Sequence, residues 1–341
     1  MKENLYEASK IKIENKVNEI LDKEIEKYKD NEFIKECMEE LKRLSSNGKR
    51  VRGYLIKLGA MLFGKDDDEY IDLAAALEIF QTAILIHDDI IDEAEKRRGM
   101  QTINSKYKGH IGVSKAICIG DLGFFISFRI ISNLNISEKL KEEISKVYSK
   151  TLYNTVNGEI IDVLLPLKNI NYHKDMKDDI IYDIYVNKTA WYTIIGPILI
   201  GASSANASIE DKEKLIEMGI NLGIAFQIKD DLLGLYSTSD NMGKTLNDIK
   251  EGKQTIIYKY AIDNAKDKEL ELINKYYGNP NVSLEENKKI TDLFIKLGAK
   301  DNASKLVEEY TNNGIKIINN MNIENKDVFI EFANYLLKRT N

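Results

Sequence analysis

The 341-residue sequence predicts an all-α helical bundle, on three observations. It contains only three prolines, Pro166, Pro197 and Pro280, and a proline inside a helix costs roughly 3 kcal/mol, so long uninterrupted helices are allowed. Apolar residues recur at helical spacing, as in the stripes Ile13, Val17, Ile20, Leu21 and Leu73, Ala76, Leu77, Phe80, Ile84. Period-two alternation is scarce.

In chain order the periodicity places helices near 6–29, 32–45, 51–63, 69–93, 113–132, 136–165, 173–203, 209–235, 253–277, 283–298, 300–320 and 325–338. Polar, turn-rich breaks fall at 45–48, 93–112 and 237–252, each with basic residues in it or next to it. The last break is polar and glycine-containing, and is expected to be mobile without ligand. No composition shift marks a linker and no fixed repeat is visible, so the chain reads as one domain over 1–341.

The charge of −6 comes from 49 basic and 55 acidic residues spread along the chain, which supplies no basic tract for a phosphate backbone. Nucleic acid is therefore not an expected partner. Cys37 and Cys118 fit no metal or disulfide framework, and the N-terminus lacks a signal-peptide run. The apolar stretch 190–202 is too short for a membrane span. A cytoplasmic, soluble protein is expected.

The segment LIHDDIID sets Asp88 and Asp92 four residues apart on one helix face, with Asp89 turned aside. Like charges so placed repel unless a cation sits between them, and hard Mg²⁺ takes carboxylate together with phosphate oxygens. FQIKDD repeats the idea with Asp230 and Asp231, one turn after Gln227. Asp66–Asp68 sits in a turn without an apolar partner face, the pair Asp178, Asp179 lies within a charge-rich helix start, and both read as solvated. Cations alternate with the two useful clusters: Lys49 and Arg52, Arg97 and Arg98, Lys188, Lys244 and Lys253. Each alone is an ordinary surface cation. Together they describe a site for two phosphorylated ligands, one held through metal and one by cations directly. His87 adjoins the first cluster but reads as a packed, hydrogen-bonded residue.

From Gly48 to Lys253 the chain resembles the trans-prenyl diphosphate synthases (isoprenyl diphosphate synthases). GKRVRG, LIHDDIID, RRGMQT, IGDL, NGEIID, NKTA, FQIKDD and GKTLNDIKEGKQT follow in the family's order. The resemblance implies an antiparallel isoprenoid-synthase bundle around a deep central cavity, normally a homodimer, with three Mg²⁺ ions. It implies an enzyme joining isopentenyl diphosphate to an allylic diphosphate.

By position, Asp88, Asp92 and Asp230 would bind metal, with Asp89 and Asp231 beside them. Lys49, Arg52, Gln81 and Arg98 would hold isopentenyl diphosphate. Arg97, Lys188, Lys244 and Lys253 would hold the allylic diphosphate. Asp162 would order a metal-bound water or an arginine, and the main chain of Lys188 and Thr189, with Gln227, would face the developing carbocation. Three departures stand out: Gly53 and Gln101 replace prolines, and Gly234 replaces the last aspartate of the second motif.

Five residues before Asp88, where short-chain members carry an aromatic plug, this chain has Ala83, followed by Ile84, with Phe80 a turn deeper. The expected product is C20 or longer, with C15 as the alternative. A class I terpene cyclase and a non-catalytic subunit of a hetero-oligomeric synthase are the other readings. Lys49, Arg52 and Arg98 oppose the first, and the intact first aspartate motif opposes the second.

Overall fold

The computed structural model describes residues 3–236 and 248–338. The chain forms two compact units, the first from Met1–Tyr148, Pro197–Ala207 and Ile323–Val328, the second from Ser149–Gly196, Ser208–Asn322 and Phe329–Asn341. No linker or composition shift announces the division. Lys244, assigned above to the allylic diphosphate, and most of the 237–252 break lie outside the described residues.

The first unit opens with α1 (Glu3–Lys27), α2 (Glu32–Ser45), α3 (Val51–Met61) and α4 (Ile71–Ile91). The stripe Ile13, Val17, Leu21 of α1 is fully buried, and Asn31 caps α2 by accepting from the Ile34 N–H at 3.2 Å. At the start of α3, Arg50 adopts a left-handed φ of 53° and buries its guanidinium. Nε donates to Glu14 at 2.7 Å, Nη2 to the Ser45 carbonyl at 2.5 Å, and Nη1 lies 3.4 Å from Glu78. The other oxygen of Glu78 accepts from the Gly53 N–H at 2.9 Å. A proline at 53 would have no such proton to give, so the departure at this position supports the triad that joins the four helices.

After α4 the chain forms a hairpin that periodicity does not predict, β1 (Lys96–Arg97) with β2 (Met100–Gln101). Arg98 at φ 51° and Gly99 at φ 77° make its two-residue turn, the left-handed pair that tight hairpins need. α5 (Ile103–Tyr107), α6 (Gly109–Ser132) and the first part of α7 (Glu138–Leu164) follow, and Pro197–Ser204 of α10 (Gly196–Ser204) also belongs to this unit. Gly123 lets α6 close on α4, since a Cβ there would stand 2.9 Å from Ala83 Cβ. Ala83 is fully buried. It is a helix-packing residue where α6 meets α4. Among the described residues α6 is one helix long and apolar enough to cross a membrane by length and composition, but its glycine face is packed on α4.

In the second unit the helix expected at 173–203 is broken into α8 (Ile170–Asp175), α9 (Asp179–Ile184), a π-helical segment Tyr185–Ile195 and α10. α11 (Ile209–Tyr236) packs along the π segment, where Gly223 admits Ala190 and Gly158 of α7 admits the Lys188 backbone. The helix expected at 253–277 is two, Ile256–Asn264 and Asp267–Tyr276. Glu269 starts the second by accepting from the Lys266 N–H at 3.0 Å. Ile181, Ile228, Ile257, Ile262 and Phe294 centre the core. The aspartates read as solvated are so: Asp68 meets exposed Lys12 at 2.6 Å, and Asp178 lies exposed 4.0 Å from Lys259.

Removing one partner of a buried ion pair leaves an uncompensated charge. Arg50→Ala is therefore expected to lower unfolding free energy by about 3–5 kcal/mol in denaturant titration, and a loss under about 1 kcal/mol would contradict the triad's role.

Candidate active site

α4 ends in a concentration of negative charge. Asp88 lies in its last turn, and Asp92 forms its C-cap, the Asp92 N–H donating to the Asp88 carbonyl at 2.8 Å. The helix dipole is negative at this end, so both carboxylates stand where anions are disfavoured and a cation is favoured. The hairpin supplies one. Arg97 Nη2 donates to Asp88 at 2.8 Å and its Nε to Asp89 at 2.6 Å.

Asp89 is buried, and burial pushes its carboxyl up from the ordinary range while Arg97 pulls it back. The structure thus turns Asp89 toward Arg97. Arg97 in turn is engaged by these two carboxylates. Thr102 and Asn104 hold the hairpin to the end of α4: Thr102 Oγ1 donates to the Ala94 carbonyl at 2.6 Å and Asn104 Nδ2 to that of Asp89 at 3.1 Å.

The tight turn also sets Arg98 among cations. Burial makes its charge costly, Glu78 offsets this, and the guanidiniums of Arg50, Arg97 and Arg52 add to the cost. Such a cluster favours an anion. Lys49 is exposed at the start of α3, with its carbonyl accepting from Tyr6 Oη at 2.5 Å. Arg52 and Gln81 are half-buried, and Arg52 belongs to the same electrostatic cluster as Arg98. His87 reaches the Ile117 carbonyl at 3.3 Å and stacks edge-on with Phe124, as a packed residue would.

The second unit carries the other residues. On the π segment Lys188 Nζ donates to Asp162 at 2.5 Å and lies 2.9 Å from Glu159. Thr189 Oγ1 donates to Gln227 Oε1 at 2.5 Å, and Gln227 Nε2 donates to Asp231 at 2.8 Å. Tyr185 donates its hydroxyl proton to the other oxygen of Asp231 and accepts from the Ile256 N–H at 3.0 Å.

Both Asp231 oxygens are therefore engaged within the protein. Burial pushes its carboxyl up to about 7 although Tyr185 and Gln227 oppose the shift. Asp230 precedes it, half-buried. Lys253 lies 3.1 Å from Glu251 and 3.7 Å from Asp248. Arg50, Tyr185, Glu159 and Asp248 were not singled out from sequence. Arg50 and Asp248 lie inside recognised motifs, whereas nothing local marks Tyr185.

The donor chemistry fits Mg²⁺. Asp88, Asp92 and Asp230 offer hard oxygens, and among the described residues no group of three or more metal-binding side chains is assembled. A metal held by one or two carboxylates and completed by phosphate oxygens and water needs no such group.

The polyprenyl synthetase family profile matches residues 31–294. The chain is 32% identical over 279 residues to the geranylgeranyl diphosphate synthase of Sulfolobus acidocaldarius, covering 81% of each chain. It is 30% identical over 309 residues to the geranylfarnesyl diphosphate synthase of Aeropyrum pernix, covering 87% of this chain and 92% of that one. Its fold matches geranylgeranyl pyrophosphate synthase of Corynebacterium glutamicum, solved with isoprenyl diphosphate and magnesium, at a TM-score of 0.86 and 24% identity over 96% of this chain and 97% of that one.

Without Arg97 the carboxylates of α4 lose their cation. Arg97→Ala is expected to lower the melting temperature in a chelator, and millimolar Mg²⁺ to restore part of the loss while moving the wild type less. Equal melting of both proteins without metal would contradict the clamp.

Proposed function

This chain belongs to the polyprenyl synthetase family, and from that membership we propose that it condenses isopentenyl diphosphate with an allylic diphosphate to give a C20 or longer trans-prenyl diphosphate. The observation that carries the reading is the end of α4, where Asp88 and Asp92 stand one turn apart with Arg97 folded back on them. The relatives that make geranylgeranyl and geranylfarnesyl diphosphate support the product class.

In this reading Asp88, Asp92 and Asp230 hold Mg²⁺, three ions with substrate present. The bound metal would neutralise the allylic diphosphate as its C–O bond breaks. Arg97, Lys188, Lys244 and Lys253 would bind the same diphosphate as it leaves. Lys49, Arg52 and Arg98, with Gln81, would hold isopentenyl diphosphate through charge-assisted hydrogen bonds. The Thr189–Gln227 pair would present oxygen dipoles to the cation, with Lys188 fixed by Asp162 and Glu159. The double bond of isopentenyl diphosphate attacks the allylic carbon, and the departing diphosphate takes the final proton.

Tail length is assigned to α4 below the aspartates. Half-buried Ile84 is one turn from Asp88 and Phe80 two turns. Phe80 packs on Phe124 at 4.9 Å and on Tyr148 at 5.4 Å, an aromatic floor one turn deeper than Ile84, and each turn deeper admits roughly one further isoprene unit.

We also propose a cytoplasmic homodimer with no membrane span. Its support is apolar surface at helical spacing: Ile117, Phe125 and Phe128 on α6, and separately Tyr153, Val156 and Ile160 on α7.

Incubating purified protein with Mg²⁺, isopentenyl diphosphate and each allylic primer, then sizing products by chromatography, tests the proposal. Products of C20 or longer are expected, lengthened by Phe80→Ala. Asp88→Ala should retain under about a tenth of wild-type kcat, a barrier increase above about 1.4 kcal/mol. A C15 end product, or an active Asp88→Ala protein, would contradict it.

A further inference from the structure

α1 precedes the residues that the family profile matches, which begin at residue 31, yet it reaches the turn that carries Lys49 and Arg52. Its buried stripe runs through Tyr6, Ser9, Ile13, Val17 and Leu21, so the helix is seated along most of its length. Three of its residues meet the turn. Tyr6 Oη donates to the Lys49 carbonyl at 2.5 Å, and Glu14 accepts from Arg50 Nε at 2.7 Å. Ile13 Cδ1 fills the space beside Gly53, 3.0 Å from where a Cβ would stand. The Tyr6 ring also packs edge-on against Tyr54 in the first turn of α3, with centroids 5.0 Å apart.

The turn needs this restraint. Arg50 is a non-glycine residue at φ 53°, a strained conformation that persists only where its surroundings over-determine it. The left-handed step sends the Arg50 side chain inward while Lys49, one residue earlier, stays exposed and Arg52 half-buried. The Lys49 carbonyl lies just before the N-cap of α3, outside the hydrogen-bond ladder of that helix, and the Tyr6 phenol meets it from 43 residues away.

We propose that Tyr6 is a positioning residue for isopentenyl diphosphate: through the Lys49 carbonyl, with Glu14 on Arg50 as a second anchor, α1 fixes the turn that presents the Lys49 and Arg52 cations. The inference rests on the functional reading above and adds to it a residue from outside the family profile. Tyr6 acts on the backbone, not on substrate. Without its hydroxyl the turn spends less time in the one conformation that aims both cations at a single diphosphate, and the apparent affinity falls with that fraction. The allylic diphosphate is assigned to other segments of the chain and should be indifferent to the change.

Tyr6→Phe keeps the ring on Tyr54 and removes only the hydroxyl, and Glu14→Gln removes the charge of the second anchor. Both full-length variants are assayed with Mg²⁺, varying each substrate in turn, and hydrogen exchange of the 48–54 amides is recorded with and without isopentenyl diphosphate. Tyr6→Phe should raise KM for isopentenyl diphosphate about three- to tenfold, the range that loss of one hydrogen bond spans, while kcat and KM for the allylic primer stay within about twofold. The 48–54 amides should exchange faster in this variant and regain protection when isopentenyl diphosphate is added. Glu14→Gln should move the same KM in the same direction. An unchanged KM for isopentenyl diphosphate in Tyr6→Phe, an equal rise in both KM values, or wild-type exchange of the turn would overturn the inference. A wild-type chain that consumes no isopentenyl diphosphate would instead overturn the functional reading on which it rests.

Discussion

The carboxylates at the end of α4 face a helix terminus that is itself negative, so the fold must bring a cation to them or leave them unstable. Arg97 meets that demand on Asp88 and Asp89, and the local architecture follows from getting it there. The chain has to reverse within two residues, which forces Arg98 and Gly99 into left-handed conformations. The reversal carries Arg98 into the cluster with Arg50 and Arg52, and the charge of that cluster is tolerated because half-buried Glu14 and buried Glu78 surround Arg50. A polar site and a structural ion triad thus share one set of charges.

In the second unit the same problem is met with different parts. Lys188 is held by Asp162 and Glu159, and buried Asp231 is held by Tyr185 and Gln227. What gives these side chains their positions is the π-helical turn at Tyr185–Ile195, a distortion that alters the register of the residues it carries. Gly158 and Gly223 allow two helices to close on that segment, so the distortion is enclosed by close packing.

The all-α architecture was legible because amphipathic periodicity and scarce proline report directly on helices, and most long helices appear within a few residues of their expected ends. Irregular structure was not. A π segment has the same apolar composition as an α-helix, and the break at Ala265–Lys266 is marked by Glu269 accepting a hydrogen bond from the Lys266 N–H, which periodicity does not register. The site residues were legible as types, since paired aspartates with interleaved Lys and Arg carry their chemistry in the sequence. Their directions were not: Asp89 and Asp231 turn inward because burial and specific partners decide orientation, and Ala83 turns out to be where α6 meets α4. Gly53 and Gly234, met first as departures, acquire reasons only when Glu78 and Asp248 are seen beside them.

The central claim is a division of labour, in which one diphosphate is held by cations directly and the other through metal. Calorimetry of isopentenyl diphosphate and of a non-hydrolysable allylic diphosphate analogue, each with Mg²⁺ and with a chelator, tests it most directly. Isopentenyl diphosphate should keep its affinity in the chelator while the allylic analogue loses most of its own. Equal dependence of both ligands on Mg²⁺, or of neither, would contradict the account.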